Sequence, residues 1–207
     1  MQARWNSKKF AAPFATALVF LAAGPAFAQA PAGVPVFKIT PGVSNIKFDV
    51  EASVEIAGTF KKWDAALTFT SPKVEDGVLF IKIDAASVDT GSGMKNGKLK
   101  GDDFFDVKDN PYITFKSTKV VQTGPETFEI DGDFTIRGVT KQEKLSLTLS
   151  PGSKGTGKGT VTGTMAFDRK QYGMNSGIPF IKIANRVEVT VNLTGVRVSG
   201  PPLVFKQ

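Results

Sequence analysis

The chain has 207 residues, of which 26 are basic and 19 acidic, and it contains neither cysteine nor histidine. Without these two residue types it offers no disulfide, no thiolate or imidazole metal site, no cysteine nucleophile and no Ser-His-Asp triad. Basic and acidic residues are interleaved without a run of like charge, which excludes the clustered basic stripe of a nucleic-acid-binding surface.

The first 28 residues have the parts of a secretory signal peptide. A basic segment precedes an apolar run at residues 10–23, and Ala-Phe-Ala at residues 26–28 is a typical cleavage signal. The apolar run is too short to span a membrane. We therefore expect cleavage after Ala28, which leaves 179 residues with 23 basic and 19 acidic side chains. A Pro/Ala/Gly linker follows at residues 29–36.

Hydrophobic residues then recur at every second position along most of the chain. In one segment, Phe128, Ile130 and Phe134 alternate with charged residues and threonines. A period of two places one set of side chains on each face of a sheet. The alternation predicts strands at residues 37–40, 44–51, 56–61, 65–70, 79–83, 112–121, 127–137, 142–149, 160–167 and 187–198.

Residues 87–109 interrupt the alternation. Residues 94–100 are polar and favour one or two helical turns, which Gly97 weakens. Phe104 and Phe105 follow among three aspartates, and two adjacent side chains cannot both face inward from a strand. We expect this pair to close the open end of the sheet beside the helical turns.

Glycines on the strands carry two further expectations. Gly58, Gly132 and Gly163 fall on the apolar face of their strands. Glycine there lets the strands coil and leaves space in the interior unfilled; the alternative is that these glycines only relieve backbone strain. In the final strand the apolar parity changes at Gly195, which predicts a bulge there.

About eight to ten strands with one helical interruption favour an all-β antiparallel barrel, because closure removes unpaired strand edges. A barrel of around eight strands holds packed side chains or one small ligand. The alternation also fits a small outer-membrane barrel. After the signal peptide, however, the chain has only three Trp and Tyr residues for aromatic girdles, and several strands are too short to span.

Several motifs, in this order along the chain, resemble those of the YceI-like periplasmic proteins. The most specific is Gly-Asp-Phe-Thr-Ile-Arg-Gly-Val-Thr-Lys at residues 132–141. At residues 95–99 the chain departs from relatives that carry Arg-Asp-x-His-Leu, so a headgroup contact that depends on those residues is not carried over. The other motifs are Gly-Thr-Phe-Lys and Trp-Asp within 58–64, Ser-Val-Asp-Thr-Gly at 87–91, Leu-Lys and Asp-Phe-Phe-Asp within 99–106, Pro-Tyr-Ile-Thr-Phe-Lys-Ser-Thr at 111–118, and Asp-Arg and Tyr-Gly-Met within 168–174.

The resemblance implies a lipocalin-like antiparallel β-barrel of about eight strands with a short helical segment. This domain would occupy residues 37–199, followed by a C-terminal tail at residues 200–207. The resemblance also implies an elongated apolar interior. On strand parity and this resemblance, we expect its lining to include Phe48, Phe60, Phe69, Leu79, Ile81, Ile83, Leu99, Phe104, Phe105, Phe115, Phe128, Ile130, Phe134, Met165, Phe167 and Met174. The candidates for contact with a polar headgroup are Lys98, Arg169 and Tyr172.

The resulting prediction is a non-catalytic periplasmic carrier. It would sequester a long-chain apolar amphiphile such as a polyisoprenoid, an isoprenoid quinone or a fatty-acid derivative. No catalytic residue, metal site or cofactor is predicted beside that lipid. The expected partners are the lipid and, transiently at most, a membrane; nucleic acid is excluded and a homodimer is left open. The alternative is a solid-core barrel that acts through its surface as a stress or interaction module.

Ile130 offers a test between these two readings, because it lies in mid-strand on the apolar face. We expect an open pocket at this position, so that Ile130→Trp displaces the lipid without unfolding the protein. If the core is solid there, the same change should cost about 1–3 kcal/mol.

Overall fold

The computed structural model describes residues 33–54, 56–177 and 181–207. The signal peptide predicted at residues 1–28 lies outside them. Within the described residues, one α-helix, α1, spans Gly93–Lys100, and four short 3-10 helices lie between strands. The strands are β1 Val36–Ile39, β2 Asn45–Ala52, β3 Ile56–Phe60, β4 Trp63–Phe69, β5 Gly77–Asp84, β6 Val88–Asp89, β7 Tyr112–Gln122, β8 Thr127–Ile136, β9 Val139–Leu149, β10 Lys158–Asp168 and β11 Ile183–Ser199. The predicted all-β fold with one short helical segment is confirmed.

The strands form one antiparallel sheet that curls on itself. Its hydrogen-bonded order is β4-β5-β7-β8-β9-β10-β11-β2-β3-β6, and β1 pairs with the C-terminal half of β11. No ladder joins β4 to β6 among the described residues, so the sheet is a half-barrel. On the open side β1 packs beside β4, where the Phe37 and Phe69 rings lie 5.8 Å apart.

Alternation decides which face of the sheet is inside. Along β8, every second residue is buried, including Phe128, Ile130, Phe134 and Ile136. The residues between them are only partly buried or exposed, so the apolar face points inward. The interior is therefore built from the residues that the period of two identifies.

The prediction of a bulge at Gly195 is wrong. β10 and β11 pair in continuous register through this position. Val196 and Val198 face outward, with 36% and 58% of their surfaces exposed, so their parity does not need a bulge. The register of β11 instead shifts between Ile183 and Val187, where it pairs with β2, and between Arg197 and Ser199, where it pairs with β1.

The inner-face glycines do not leave empty space, contrary to one expectation. A β-carbon on Gly58 would lie 2.7 Å from the Phe48 ring, and one on Gly132 would collide with the Phe115 ring. Gly163 is covered in the same way by leucine and valine side chains. Each glycine instead allows a large neighbouring side chain to cross the inner face.

The C-terminal tail, residues 200–207, is docked on the barrel. Val204 forms a β-bridge with Lys73, and the Phe205 ring lies 6.2 Å from the Phe128 ring. The Lys206 ammonium group lies 2.7 Å from the Glu75 carboxylate. The tail thus covers the end of the barrel to which Phe128 belongs.

The helix α1 lies at the other end of the barrel. It begins after Ser92, whose hydroxyl accepts a hydrogen bond of 3.4 Å from the backbone N–H of Lys95, as a helix N-cap does. The Asn96 side chain accepts a 2.8 Å hydrogen bond from the backbone N–H of Thr90 and so ties the helix to the segment before it. These contacts hold α1 in spite of its weak sequence signal.

Candidate functional site

The curled sheet encloses an apolar cavity of about 740 Å³ beside α1. Its walls come from the inner faces of β2, β3, β5, β7, β8, β10 and β11, and from α1 and the turn that follows it. A second, smaller cavity of about 140 Å³ lies at the opposite end, under the C-terminal tail. The large cavity has the size and apolar lining of a small-molecule site.

The structure divides the predicted lining residues among three places. The large cavity is lined by nine of them: Phe48, Phe60, Ile83, Leu99, Phe104, Phe105, Phe134, Phe167 and Met174. The small cavity is lined by four: Phe69, Leu79, Phe128 and Ile130. Neither cavity is lined by the remaining three: Ile81, Phe115 and Met165. The expectation of one elongated interior is corrected by this division, because packed side chains separate the two cavities.

The position of Ile130 changes the expectation for its replacement by tryptophan. Ile130 is 3% exposed and lines only the small cavity. Ile130→Trp would therefore place its indole in the small cavity, and it does not probe the large cavity.

Several residues that line the large cavity were not identified from the sequence. Ile46 and Val50 flank Phe48 on the same face of β2, and Ile136 follows Phe134 on β8. The two-residue period places these three residues on the apolar face, although they were not among the expected lining residues. The others are Val54, Ile56, Met94, Lys95, Ile113, Ile181, Ile183, Val187 and Val189.

The opening of the large cavity lies beside α1. Met94 and Val54 both line the cavity, although 87% and 42% of their surfaces are exposed. Phe104 and Phe105 also line it and are 6% and 8% exposed. Both rings face inward because they lie in a turn after α1, where the alternation of a strand does not apply. The Phe105 ring lies 5.9 Å from that of Phe60.

Lys98 lies at this opening with its charge already paired. Its ammonium group contacts the Asp103 carboxylate, whose other oxygen accepts a 2.6 Å hydrogen bond from the Ser176 hydroxyl. Hydrogen bonds from Lys98 and Ser176 hold the pKa of the Asp103 carboxyl below its ordinary value. Lys98 therefore lines the cavity at its opening, and its ammonium group is already paired with Asp103.

Arg169 is a buried cation on the cavity wall. It is 5% exposed, and Nε donates to the Ala184 carbonyl at 3.1 Å. Nη1 donates to the carbonyls of Met174 and Ser176, the latter at 2.9 Å. Among the described residues, Arg169 forms no ion pair. A buried positive charge that carbonyl dipoles alone support favours an acceptor group beside it.

Tyr172 does not line the large cavity. It is fully buried, and its hydroxyl donates a 2.7 Å hydrogen bond to the Glu143 carboxylate. Its ring packs edge-on against Phe134 and Phe167, at centroid distances of 5.5 and 5.3 Å. The prediction of a headgroup contact is corrected here, because the hydroxyl is committed to Glu143 behind the cavity wall.

The buried pair of Tyr172 and Glu143 predicts how the folding stability of the protein changes at alkaline pH. Burial, and then the hydrogen bond to Glu143, raise the pKa of the Tyr172 phenol well above its ordinary value. The unfolded chain loses this proton near pH 10, before the folded protein does. The contribution of Tyr172 is thus fully present below about pH 10 and is lost as the pH rises further.

We expect Tyr172→Phe to cost about 1–3 kcal/mol at pH 7, because it removes a hydrogen bond to a charged group. It should also make the decline of stability above about pH 10 less steep. Thermal unfolding between pH 7 and 11 measures both effects. The matched control is Tyr112→Phe, since Tyr112 is 48% exposed. Equal alkaline slopes for wild type and Tyr172→Phe would contradict the assignment.

Two further observations concern the described residues as a whole. No group of three or more acidic side chains among them could hold a metal ion. No helix in the described part of the chain is long and apolar enough to cross a membrane.

Comparison with known proteins gives consistent matches. Residues 37–195 match the YceI-like domain family. A UPF0312 protein of Pseudomonas savastanoi pv. phaseolicola is 28% identical over 145 residues, which is 69% of this chain and 74% of that protein. A UPF0312 protein of Vibrio parahaemolyticus is 26% identical over 184 residues, which is 89% of this chain and 97% of that protein.

Solved structures show the same architecture. BcnA of Burkholderia cenocepacia has a TM-score of 0.68 at 25% identity, covering 76% of this chain and 99% of that one. A polyisoprenoid binding domain from Saccharophagus degradans has a TM-score of 0.63 at 15% identity, covering 79% and 99%. The second match is a likeness of fold.

Proposed function

The chain belongs to the YceI-like domain family, as its motifs predicted, and from this premise we propose that it is a non-catalytic carrier of a long-chain apolar amphiphile. The observation that carries the proposal is the apolar cavity of about 740 Å³, which α1 and the curled sheet line almost entirely with apolar side chains. The similar fold from Saccharophagus degradans is described as polyisoprenoid binding, which supports the ligand class. A polyisoprenoid, an isoprenoid quinone and a fatty-acid derivative all fit this class.

The energy of binding would come from the tail of the ligand. Each methylene group moved from water into an apolar site gains about 0.8 kcal/mol, so ten of them gain about 8 kcal/mol before the cost of association. The cavity wall presents aromatic and aliphatic side chains over nearly all of its surface. Affinity would therefore follow the buried length of the tail.

The charged residues of the wall would orient the ligand. Arg169 and Lys98 both line the large cavity, and Lys98 lies on α1 at the opening. We propose that the tail points inward and that a headgroup with a carbonyl, carboxylate or phosphate oxygen faces these two residues. Arg169 is the better candidate, because Lys98 is paired with Asp103.

We also propose that the carrier works in the periplasm, in line with the signal peptide expected at residues 1–28. Protein recovered by osmotic shock should begin at Gln29. An intact N-terminus on that protein would contradict this part of the proposal.

A displacement titration tests the proposed function. A fatty acid with an environment-sensitive fluorophore should bind the delipidated protein saturably, with one site per chain. Long-chain prenols, quinones and fatty acids should displace it, whereas four-carbon analogues should not. If the fluorophore never shows saturable binding, the proposal fails and the surface-acting alternative gains support.

A further inference from the structure

The interior of the barrel is divided by a layer of side chains at mid-height. On β5, Leu79 lines the small cavity and Ile83 lines the large one, while Ile81 between them lines neither. The same order recurs on other strands that line both cavities. We call the resulting layer the septum and define it by Ile81, Phe115, Gly132, Gly163, Met165 and Val191.

The septum is closely packed. Its side chains at Ile81, Phe115, Met165 and Val191 are between 3% and 7% exposed. Ile81 and Phe115 are direct partners across the β5–β7 ladder. Because these buried side chains line neither cavity, they lie between the two.

The Phe115 ring closes the septum by occupying the space over Gly132. A β-carbon on Gly132 would collide with this ring and would lie 2.8 Å from the backbone oxygen of Lys116. Glycine at this position therefore lets the ring lie against the backbone of the inner face. Leu147 and Val191 cover Gly163 in the same manner.

We propose that the septum sets the maximum chain length that the large cavity accepts, and that Phe115 is the residue that determines it. This inference rests on the proposed function. For a tail that enters beside α1, each further carbon atom strengthens binding only while it can contact the cavity wall. When its end meets Phe115, additional carbon atoms must fold back or stay in water.

The prediction for a chain-length series follows directly. Affinity should rise by about fourfold per methylene while the tail fills the cavity. It should then reach a plateau once the tail meets the septum. Removing the Phe115 ring would join the large cavity to the one of about 140 Å³, so the plateau should move to longer chains.

The experiment measures displacement of the fluorescent fatty acid by saturated fatty acids of 8 to about 24 carbon atoms, on wild type, Phe115→Ala and Phe128→Ala. Phe128 is the matched control, because its buried ring lines the small cavity behind the septum. We expect the plateau of Phe115→Ala to lie several carbon atoms beyond the wild-type plateau. The Phe128→Ala plateau should equal that of wild type.

Three results would overturn the inference: no plateau in wild type, an unchanged plateau in Phe115→Ala, or the same shift in the control. If Phe115→Ala does not fold, Phe115→Leu keeps more of the packing and should shift the plateau in the same direction by fewer carbon atoms. A protein that binds no chain of any length would instead refute the proposed function itself.

Discussion

Val187→Trp is expected to weaken lipid binding strongly and to leave the fold intact. Val187 lies on the inner face of β11, is 7% exposed and lines the large cavity. An indole that projects into a cavity of about 740 Å³ fills space that the tail would use. Loss of contact with about four methylene groups corresponds to about 3 kcal/mol, or roughly a 200-fold weaker affinity.

The matched control is Val191→Trp, on the same strand and the same face. Val191 belongs to the septum, where its side chain lies 2.6 Å from the position of a β-carbon on Gly163. The same substitution there should overpack the core and cost about 1–3 kcal/mol. Thermal unfolding and the displacement titration would be run on the same preparations. If Val187→Trp is as unstable as Val191→Trp and still binds lipid normally, the result would contradict the claim that lipid binds in the large cavity beside Val187.

Arg169→Leu is expected to be the most destabilising single substitution considered. It removes the donors that satisfy the carbonyls of Ala184, Met174 and Ser176. Each buried polar group without a partner costs about 1–3 kcal/mol. If water replaces part of the hydrogen bonding to the three carbonyls, the total loss of folding stability is about 3–5 kcal/mol. Such a loss is a large share of the stability of an ordinary domain.

Arg169→Lys is the control, because it keeps the positive charge and loses the planar fork. It should lie between wild type and Arg169→Leu in its free energy of unfolding, measured by chemical denaturation. Titration with a long-chain acid and with the alcohol of equal length then tests the headgroup role. Wild type should prefer the acid more strongly than Arg169→Lys does. A free energy of unfolding for Arg169→Leu within about 1 kcal/mol of wild type would contradict the assigned contacts.

The strands and the inner face could be predicted because alternation reports directly which side chains are buried. The same alternation carries no information on height along the barrel. Phe128 and Phe134 share one face of β8, yet they line different cavities. The boundary between them depends on the Phe115 ring over Gly132, which is a contact across two strands and has no signature along the chain.

The polar part of the site was harder to predict for a similar reason. Tyr172 lies in a short 3-10 turn, and its partner Glu143 is 29 positions earlier on β9. Nothing near Tyr172 in the sequence shows that its hydroxyl is already bonded. Likewise, the tail at residues 200–207 carries no alternation that predicts its place, although Phe205 packs on the core and Lys206 pairs with Glu75.

Organic extraction and mass spectrometry of protein purified without detergent test the central claim, that the large cavity carries a long-chain apolar molecule. Wild type should release such a species in near-equimolar amount. Val187→Trp, prepared in parallel, should release little of it, because the indole occupies its place. Folded wild-type protein that releases no apolar species, and that gains none when offered long-chain lipids, would contradict the claim.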